Sequence, residues 1–258
     1  MSVDYVLDGE VALVTLNRPD RYNAIDSSLS VGLEQALERA GRESRVAVLT
    51  GAGRAFCSGA DLNTLLDGYD SDDGPDLAGL LEHVFHPAIH ALLECQVPVV
   101  GAINGVAAGA GLGLAFACDL RLMAEDAFLT SAFTAIGLVP DSGTTWWLAQ
   151  NLGVSRALEF TMTNRRMGAS ECRDLGLCLE VVPTTDLLTR TMEVARGLAD
   201  LVPDALVTTR RLVRNAAGTG LDEALQAEQT EQGRLGRTPQ HREGVRSFVE
   251  KRKPEFRI

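Results

Sequence analysis

The sequence predicts an α/β protein whose C-terminal part is helical, and two observations support this prediction. In the first half of the chain, short apolar runs rich in β-branched residues alternate with segments whose apolar residues recur every three or four positions. From Gly143 onward, nearly all of the apolar patterns have this helical spacing. Strands that alternate with helices are typical of a sheet covered by helices, whereas a run of helices favours a separate helical layer.

The strands and helices of the first half follow from local patterns. The β-branched run VALVTL predicts a strand at 11–16, and the turn sequence NRPD ends it. After this turn, leucines at four-residue spacing predict the first helix. By the same reasoning we predict further strands at 45–50, 97–103 and 120–124, and helices at 27–40, 62–66, 77–95 and 108–118.

The second half is predicted to be almost entirely helical. We predict helices at 154–161, 187–200, 204–217 and 221–237. Before them, the acidic and turn-rich stretch DGYDSDDGPD at 67–76 predicts a mobile loop. A chain of 258 residues lies near the upper size for one hydrophobic core, roughly 250–300 residues, so one domain with a helical appendage is expected.

Charge and composition exclude several functional classes. The formal net charge of −11 argues against a nucleic-acid or anionic-membrane surface. The N-terminal residues lack a basic region followed by an apolar run, so we expect no signal peptide, and several glycines interrupt the longest weakly polar stretch, 97–118, which argues against a membrane span. Five scattered cysteines without CxxC spacing indicate neither a disulfide framework nor a zinc site. We therefore expect a cytoplasmic protein.

The stretch IGLVPDSGTTWW, residues 136–147, places a single carboxylate, Asp141, in an apolar run. Proline followed by Asp, Ser and Gly is strong turn chemistry, and Asp141 or Ser142 also suits the cap of a helix that begins near Gly143. The alternative is the acid–base group of an active site. On this stretch alone, the structural interpretation is favoured.

Two glycine-rich segments follow predicted strands: GAGRAFCSGADL at 51–62 and AINGVAAGAGLGLAFACD at 102–119. Glycines at a strand-to-helix junction let backbone N–H groups approach a ligand, and a helix N-terminus favours negative charge. Two such sets of amides suit the oxyanion of an enolate. The spacing G-x-G-x-G is a poor dinucleotide fingerprint, and tight packing of helix glycines against a sheet is an alternative.

These two segments, with LNRPDRYNAI near the N-terminus, GLVPDSGTTWWL and the tail REGVRSFVEKRKPEF, resemble the crotonase (enoyl-CoA hydratase/isomerase) superfamily in order and nearly from end to end. The resemblance implies a crotonase-type spiral of ββα units at 1–195 that binds acyl-CoA, and a C-terminal helical trimerisation region at 196–258. It also implies an acyl-CoA thioester as substrate, so coenzyme A enters with the substrate and no separate cofactor is expected. The implied assembly is a homotrimer or a dimer of trimers.

The resemblance also implies roles for individual residues. The amides of Ser58 and Ala110 are implied to form the oxyanion hole for the thioester carbonyl. The residues implied to line the adenine and pantetheine are Ala55, Cys57, Ala60, Asp61 and Leu62. Three further residues are implied to approach the phosphates and adenine of coenzyme A, the last two of them from a neighbouring subunit: Arg21, Phe248 and Lys251.

The chain departs from the family at the positions of the two glutamates that its hydratases use. These positions hold Gly113 and Phe133, neither of which can transfer a proton. Losing a positioned acid–base group typically costs roughly 10²–10⁴-fold in rate. We therefore do not expect ordinary hydratase activity.

In family members that move double bonds, a single carboxylate follows the GL-x-P segment, where this chain has Asp141. The chain is particularly similar to the branch of ring-1,2-epoxyphenylacetyl-CoA isomerases and 3-enoyl-CoA isomerases. Asp141 is therefore expected to be the catalytic base, desolvated by Ile136, Leu138 and Val139. Two alternatives stay open: a hydratase with relocated acid–base groups, and a non-catalytic acyl-CoA-binding protein.

Three of the four histidines, His83, His86 and His90, lie close together in the helix predicted at 77–95. Their spacing is compatible with a shared face, as a metal site requires. The site would still need a further ligand, and Pro87 disturbs the helix. We therefore expect no metal.

Overall fold

A computed structural model of the chain describes residues 2–66, 69 and 74–257. Within this part the strands are β1 (Val3–Asp8), β2 (Val11–Leu16), β3 (Val46–Gly51), β4 (Ala55–Cys57), β5 (Val99–Ile103), β6 (Val106–Ala108), β7 (Leu120–Ala124), β8 (Phe128–Thr130), β9 (Met167–Gly168) and β10 (Glu180–Val182). The α-helices are α1 (Ser27–Glu43), α2 (Leu62–Leu66), α3 (Leu77–Leu80), α4 (His86–Glu94), α5 (Ala110–Ala117), α6 (Thr144–Leu152), α7 (Val154–Thr163), α8 (Ala169–Asp174), α9 (Leu187–Ala199), α10 (Pro203–Ala216), α11 (Leu221–Leu235) and α12 (Pro239–Val249).

The strands form two sheets. The six-stranded sheet has the order β1-β2-β3-β5-β7-β10, and the four-stranded sheet has the order β4-β6-β8-β9. From β2 to β10 the six-stranded sheet is parallel, and β1 joins it as an antiparallel neighbour of β2. Every residue of β3 and β5 is buried, which is typical of parallel strands that are covered on both faces.

The chain passes from the six-stranded sheet to the four-stranded sheet three times in the same way. β3 leads into β4 and α2, β5 leads into β6 and α5, and β7 leads into β8 and, after a loop, α6. The expected α/β fold and its spiral of ββα units are therefore confirmed. No repeat is visible in the sequence, because what repeats is the path of the backbone and not the side chains along it.

Local patterns missed the shortest strands. β4, β6 and β8 have three residues each, too few to show an alternating pattern. Because β6 occupies Val106–Ala108, the helix predicted from 108 begins at Ala110. β1, β10 and α12 were not predicted either, so the expectation of an almost purely helical second half is wrong at β9 and β10.

The helix predicted at 77–95 is confirmed as far as Glu94. It consists of α3, a π-helical turn at Leu81–Phe85, and α4. The mobile loop expected at 67–76 lies largely outside the described residues. At its end, Asp76 accepts a hydrogen bond from the N–H of Gly79 at 2.9 Å and caps α3.

The hydrophobic core includes buried residues of both sheets and of the helices α1, α4, α5 and α9. All five cysteines are free thiols and buried. Burial raises the pKa of Cys57, Cys118 and Cys172 to about 12, so these thiols stay protonated and pack as small apolar side chains. Within the described ranges, no helix is long and apolar enough to cross a bilayer.

The helices after α9 pack onto the core through charged side chains. The expected boundary between residues 195 and 196 falls inside α9, which packs against the six-stranded sheet. Arg210 and Arg214 of α10 form ion pairs with Asp119, which follows α5, at 3.1 and 3.0 Å. The part that is purely helical and outside the sheet layers therefore begins with α10.

Candidate active site

Two backbone segments, the loop after β4 and the N-terminus of α5, are in direct contact. Gly59 has a φ of +94°, and a Cβ added there would lie 2.8 Å from the carbonyl oxygen of Ala108 and 3.2 Å from the amide nitrogen of Ala110. A Cβ added at Gly111 would overlap the carbonyl oxygen of Cys57. Glycine is needed at both positions because only a residue without a side chain lets the two backbones come this close.

This contact brings two unpaired backbone donors together. Ala110 is the first residue of α5, so its N–H lacks an acceptor inside the helix. Ile25 pairs with the loop by donating to the carbonyl of Gly59 at 2.7 Å and accepting from the N–H of Asp61 at 3.2 Å. The N–H of Ala60 therefore points away from Ile25, and it donates no hydrogen bond to any described residue.

The expectation that the amide of Ser58 is the first donor of the oxyanion hole is corrected. Its N–H already donates to the carbonyl of Tyr22 at 3.0 Å. The donor that the structure leaves available in this loop is Ala60, two residues further on, next to the glycine that contacts Ala110. The sequence pattern does not show which amide of the loop is free, because pairing with Tyr22 and Ile25 decides it.

Asp141 lies on a tight turn between the 3₁₀ turn Thr134–Ile136 and α6. Its carbonyl accepts from the N–H of Thr144 at 2.8 Å, and its Oδ1 accepts from the hydroxyl of Ser142 at 2.8 Å. The turn interpretation is therefore confirmed, and the catalytic role of Asp141 stays a prediction. Only one carboxylate oxygen is used by this bond, so the other is free to take a proton.

The environment of Asp141 favours its protonated form. Burial raises the pKa of Asp141, and the hydrogen bond from Ser142 and the charge of protonated His86 only partly oppose this rise. The expected source of the desolvation is wrong for two residues, because Ile136 is 53% and Val139 is 78% exposed. The turn is buried from the opposite side, where Ser142 packs against α5.

The contact between Ser142 and α5 occupies the position of the first missing glutamate. A Cβ added at Gly113 would lie 2.5 Å from the carbonyl oxygen of Ser142 and 2.7 Å from its Cβ. The turn that carries Asp141 thus fills the space in which a longer side chain at 113 would begin. Phe133, at the second glutamate position, is buried, and its Cζ lies 3.8 Å from a Cβ position built at Gly109.

The residues expected to line the adenine and pantetheine divide into two groups. Ala55 and Cys57 are 1% and 0% exposed, so their expected role in lining the ligand is corrected. Ala60 is half-buried, and Leu62 is exposed on α2. Of the five residues expected to line the adenine and pantetheine, these two are accessible.

Asp61 is buried and stabilises the loop. It forms an ion pair with Arg18 at 3.0 Å and accepts a hydrogen bond from the N–H of Asn63 at 3.3 Å. Burial raises the pKa of Asp61, but the hydrogen bonds from Asn63 and Arg18 outweigh it and keep the pKa below its usual value. The carboxylate therefore stays charged while it joins the start of α2 to the segment before α1.

The basic residues expected near coenzyme A lie at two places. Arg21 is exposed, and its carbonyl accepts from the hydroxyl of Ser58 at 3.4 Å, so it borders the loop. Arg54, which the pattern did not single out, stacks on the ring of Tyr22 at 4.6 Å and adds a second cation there. Phe248 and Lys251 are exposed at the end of α12, and their approach from a neighbouring subunit stays a prediction.

A cavity of about 1080 Å³ lies next to Gly143, but Asp141, Ala60 and Ala110 are not among the residues that line it. Gly143, two residues after Asp141, lines it together with Ile89 of α4 and Trp147 of α6. Side chains of α10 and α11 close its far side. In the described part of the chain, no group of three or more His, Cys, Asp or Glu side chains is placed to hold a metal ion.

Comparisons with known proteins point to one family. A family model described as enoyl-CoA hydratase/isomerase matches residues 7–257. A "probable enoyl-CoA hydratase" of Rhodobacter capsulatus is 38% identical over 99% of this chain and 97% of its own length. The 1,2-epoxyphenylacetyl-CoA isomerase of Escherichia coli is 35% identical over 95% of this chain and 94% of its own.

Solved structures share the fold over the whole chain. The crystal structure of an enoyl-CoA hydratase from Polaromonas sp. JS666 has a TM-score of 0.93 at 31% identity, and it covers 99% of both chains. That of an enoyl-CoA hydratase from Bacillus anthracis has a TM-score of 0.92 at 30% identity, again covering 99% of both.

Proposed function

The chain belongs to the enoyl-CoA hydratase/isomerase family, and from this premise we propose that it is an isomerase of acyl-CoA thioesters. The reaction is the conversion of a 3-enoyl-CoA to a 2-enoyl-CoA, or the rearrangement of a ring-epoxide acyl-CoA. One observation carries the proposal. Asp141 is the carboxylate on the turn that packs against Gly113, while Gly113 and Phe133 replace both hydratase glutamates.

The chemistry needs a base and an oxyanion hole. The C2–H of a 3-enoyl thioester is acidic because the dienolate spreads its charge onto the thioester oxygen. In our proposal the free carboxylate oxygen of Asp141 removes this proton, and the amides of Ala60 and Ala110 donate to the developing oxyanion. The same carboxylic acid then returns the proton at C4, so that the double bond ends in conjugation and the carboxylate is restored.

A raised pKa suits this cycle. The carboxylate must accept a proton in the first step and release it in the second, which is most efficient when its pKa lies near the working pH. Burial moves the pKa of Asp141 in that direction. One base is sufficient because C2 and C4 lie on the same face of a planar dienolate.

For a ring epoxide, Asp141 is proposed to act on the acyl group in the same position and to assist the expansion of the ring to an oxepin. The relative from Escherichia coli named 1,2-epoxyphenylacetyl-CoA isomerase supports this variant. The second candidate function is a hydratase with relocated acid–base groups, which the name of the Rhodobacter capsulatus relative supports. A hydratase must hold and activate water and also deliver a proton to C2, so it requires a further group besides Asp141.

The test is turnover of 3-enoyl-CoA, 2-enoyl-CoA and a ring-epoxide acyl-CoA by the wild type and by Asp141→Asn. We expect conjugated product from the first substrate, and a loss of about 10²–10⁴-fold in kcat for the variant. Asp174→Asn removes another carboxylate, one at the end of α8, and should leave the rate unchanged. Wild-type turnover by Asp141→Asn would contradict the role of Asp141.

The same three substrates separate the candidate functions. A 3-hydroxyacyl product from 2-enoyl-CoA supports the hydratase. Binding of all three thioesters without any product supports a non-catalytic acyl-CoA-binding protein.

A further inference from the structure

The two parts of the proposed site lie on neighbouring helices. Ala110, one donor of the oxyanion hole, is the first residue of α5, and Asp141 lies on the turn before α6. The two helices pack against each other, and the turn before α6 meets α5 at Gly113. Because a donor and a base must be held to within about 0.5 Å of their productive geometry, a group that joins these helices can control the site.

Arg214 of α10 contacts both helices. Its Nη2 donates to the carbonyl oxygen of Ala117, the last residue of α5, at 2.9 Å. Its Cζ lies 5.5 Å from the centre of the Trp147 ring in α6, within the range of a cation–π contact. The same Nη2 forms an ion pair with Asp119 at 3.0 Å, which holds the guanidinium group in place.

The helix α5 can transmit a contact from its last residue to its first. All of its eight residues are buried and apolar, so its polar contacts lie at its ends. A Cβ added at Gly111 would overlap the carbonyl oxygen of Cys57, which leaves little room for the helix to bend. An α-helix of this length spans about 12 Å. A shift at Ala117 therefore reaches the N–H of Ala110.

Trp147 provides the contact to the turn that carries Asp141. Its backbone N–H donates to the carbonyl of Gly143 at 3.0 Å, and a Cβ added at Gly143 would lie 3.3 Å from its Nε1. Within this turn, the N–H of Thr144 donates to the carbonyl of Asp141 at 2.8 Å. The indole thus packs against the turn that holds the carboxylate.

We propose that Arg214 is a positioning residue, which keeps the N–H of Ala110 and the carboxylate of Asp141 aligned by joining α5 to α6. It acts through these two helices and not on the thioester itself. The inference rests on the proposed function. It also gives α10, a helix outside the sheet layers, a part in the site that uses contacts within one chain.

Arg121 of β7 limits the expected effect. It donates to the carbonyls of Phe116 and Cys118 at 3.3 and 2.8 Å, so it also holds the end of α5. Its remaining hydrogen bond goes to the segment before β10. Loss of Arg214 therefore separates α5 from Trp147 without releasing the helix.

The experiment compares Arg214→Gln with Arg210→Gln. Both side chains lie on α10, both pair with Asp119, and each donates a hydrogen bond to a backbone carbonyl. Arg210, however, donates to Cys95 after α4 and not to α5. The two variants therefore lose similar contacts, and only Arg214→Gln removes the connection between α5 and α6.

Kinetics are measured below the unfolding transition of both variants, on the thioester that the wild type converts. We expect Arg214→Gln to lower kcat about tenfold with KM unchanged, because misplaced groups weaken interactions made in the transition state. Arg210→Gln should keep kcat within about twofold of the wild type. Wild-type kcat in Arg214→Gln, or equal losses of kcat in both variants, would overturn the proposal. A raised KM with kcat unchanged would also contradict it.

An NMR measurement is independent of turnover. Labelling of alanine and tryptophan with ¹⁵N reports the amide of Ala110, identified by its loss in Ala110→Gly, and the indole of Trp147, identified by its loss in Trp147→Phe. We expect both signals to shift in Arg214→Gln and neither to shift in Arg210→Gln. If the wild type converts no acyl-CoA thioester, the proposed function fails, whereas an unmoved Ala110 signal in Arg214→Gln overturns the link between Arg214 and the oxyanion hole.

Discussion

The site region and the C-terminal helices are stabilised in different ways. Around the site, backbones touch at Gly59, Gly111 and Gly113, where an added Cβ collides with the neighbouring chain. The helices α10–α12 instead use ion pairs between largely exposed side chains, such as Arg234 with Asp204 and Lys253 with Asp200. Contacts of the first kind tolerate almost no change, whereas exposed pairs contribute little individually.

The exposed apolar side chains show the same contrast. Val213, Leu221 and Phe248, in the C-terminal helices, are 66%, 75% and 85% exposed. The N-terminus of α5 supplies one of the two donors of the oxyanion hole in our proposal, and every residue of this helix is buried. The backbone contacts of α5 are therefore fully buried, while the C-terminal helices keep apolar side chains exposed. Their use in trimer formation stays a prediction.

The largest expected effect concerns the contact between the core and the C-terminal helices. Asp119 accepts from the N–H of Val99 at 2.8 Å and pairs with Arg210 and Arg214, which are 9% and 21% exposed. Asp119→Asn keeps the shape but removes the charge, and we expect it to lower the free energy of unfolding by about 3 kcal/mol, since a buried cation loses its partner. Both guanidinium groups keep a backbone acceptor, which limits the loss. Urea unfolding measures it.

Asp8→Asn is the control for Asp119→Asn. It also removes a carboxylate from an ion pair, but Asp8 and its partner Arg196 are both more than half exposed. It should change stability by less than about 1 kcal/mol. Equal losses in the two variants would show that the C-terminal helices are not held to the core through Asp119.

The next effect tests the packing of the Asp141 turn. Gly113→Ala places a Cβ against Ser142, and we expect a loss of about 1–3 kcal/mol in the free energy of unfolding together with reduced turnover, because the turn must shift. Gly197→Ala is the matched control, since a Cβ there meets no atom within 4 Å. That variant should gain about 0.5–1 kcal/mol from helix propensity. Similar thermal unfolding of both variants would refute the close contact.

A smaller effect concerns the pH dependence of the site. Because burial raises the pKa of Asp141, and the carboxylate is the active form, kcat/KM should fall as the pH drops through a value above the ordinary range of aspartate. Ser142→Ala removes the hydrogen bond that favours the ionised form and should raise that pH further. We expect kcat/KM about three- to tenfold lower at acidic pH and little change at alkaline pH. A pH–rate profile that Ser142→Ala leaves unmoved would argue against Asp141 as the titrating base.

The smallest effect is expected at the pair between Arg252 and Glu243. The hydrogen bonds from Arg252 lower the pKa of Glu243 to about 2, but the Arg252 side chain is 38% exposed, so solvent partly screens the pair. We expect Arg252→Gln to move Tm by less than about 2 °C and to leave the NMR titration of Asp141 unchanged. A larger shift in Tm would remove the distinction between the two regions.

Much of the fold was predictable because its strands are long and apolar enough to leave a local pattern. The strand predicted at 11–16 matches β2, and the one at 120–124 matches β7. The three-residue strands of the second sheet were not predictable, because tertiary pairing and not local preference makes them extended. β10, with three residues, was missed for the same reason.

The candidate site was predicted in part. The sequence shows which ionisable groups are available. Asp141 is present, whereas the two glutamate positions hold Gly113 and Phe133. Which amide is free does not, because the N–H of Ser58 is taken by Tyr22 and that of Ala60 is not. His86 was considered only as a metal ligand, and the action of its charge on Asp141 depends on tertiary packing that the sequence does not show.

The sequence by itself determined the family, the alternation of strands and helices, and the chemistry available, because each of these depends on residue types at fixed spacings along the chain. Only the tertiary structure decided which donors are unpaired, which side chains are buried, and which charge acts on Asp141. These depend on distances between segments far apart in the chain. Local preference contains no information about such distances, whereas close packing of the core sets them.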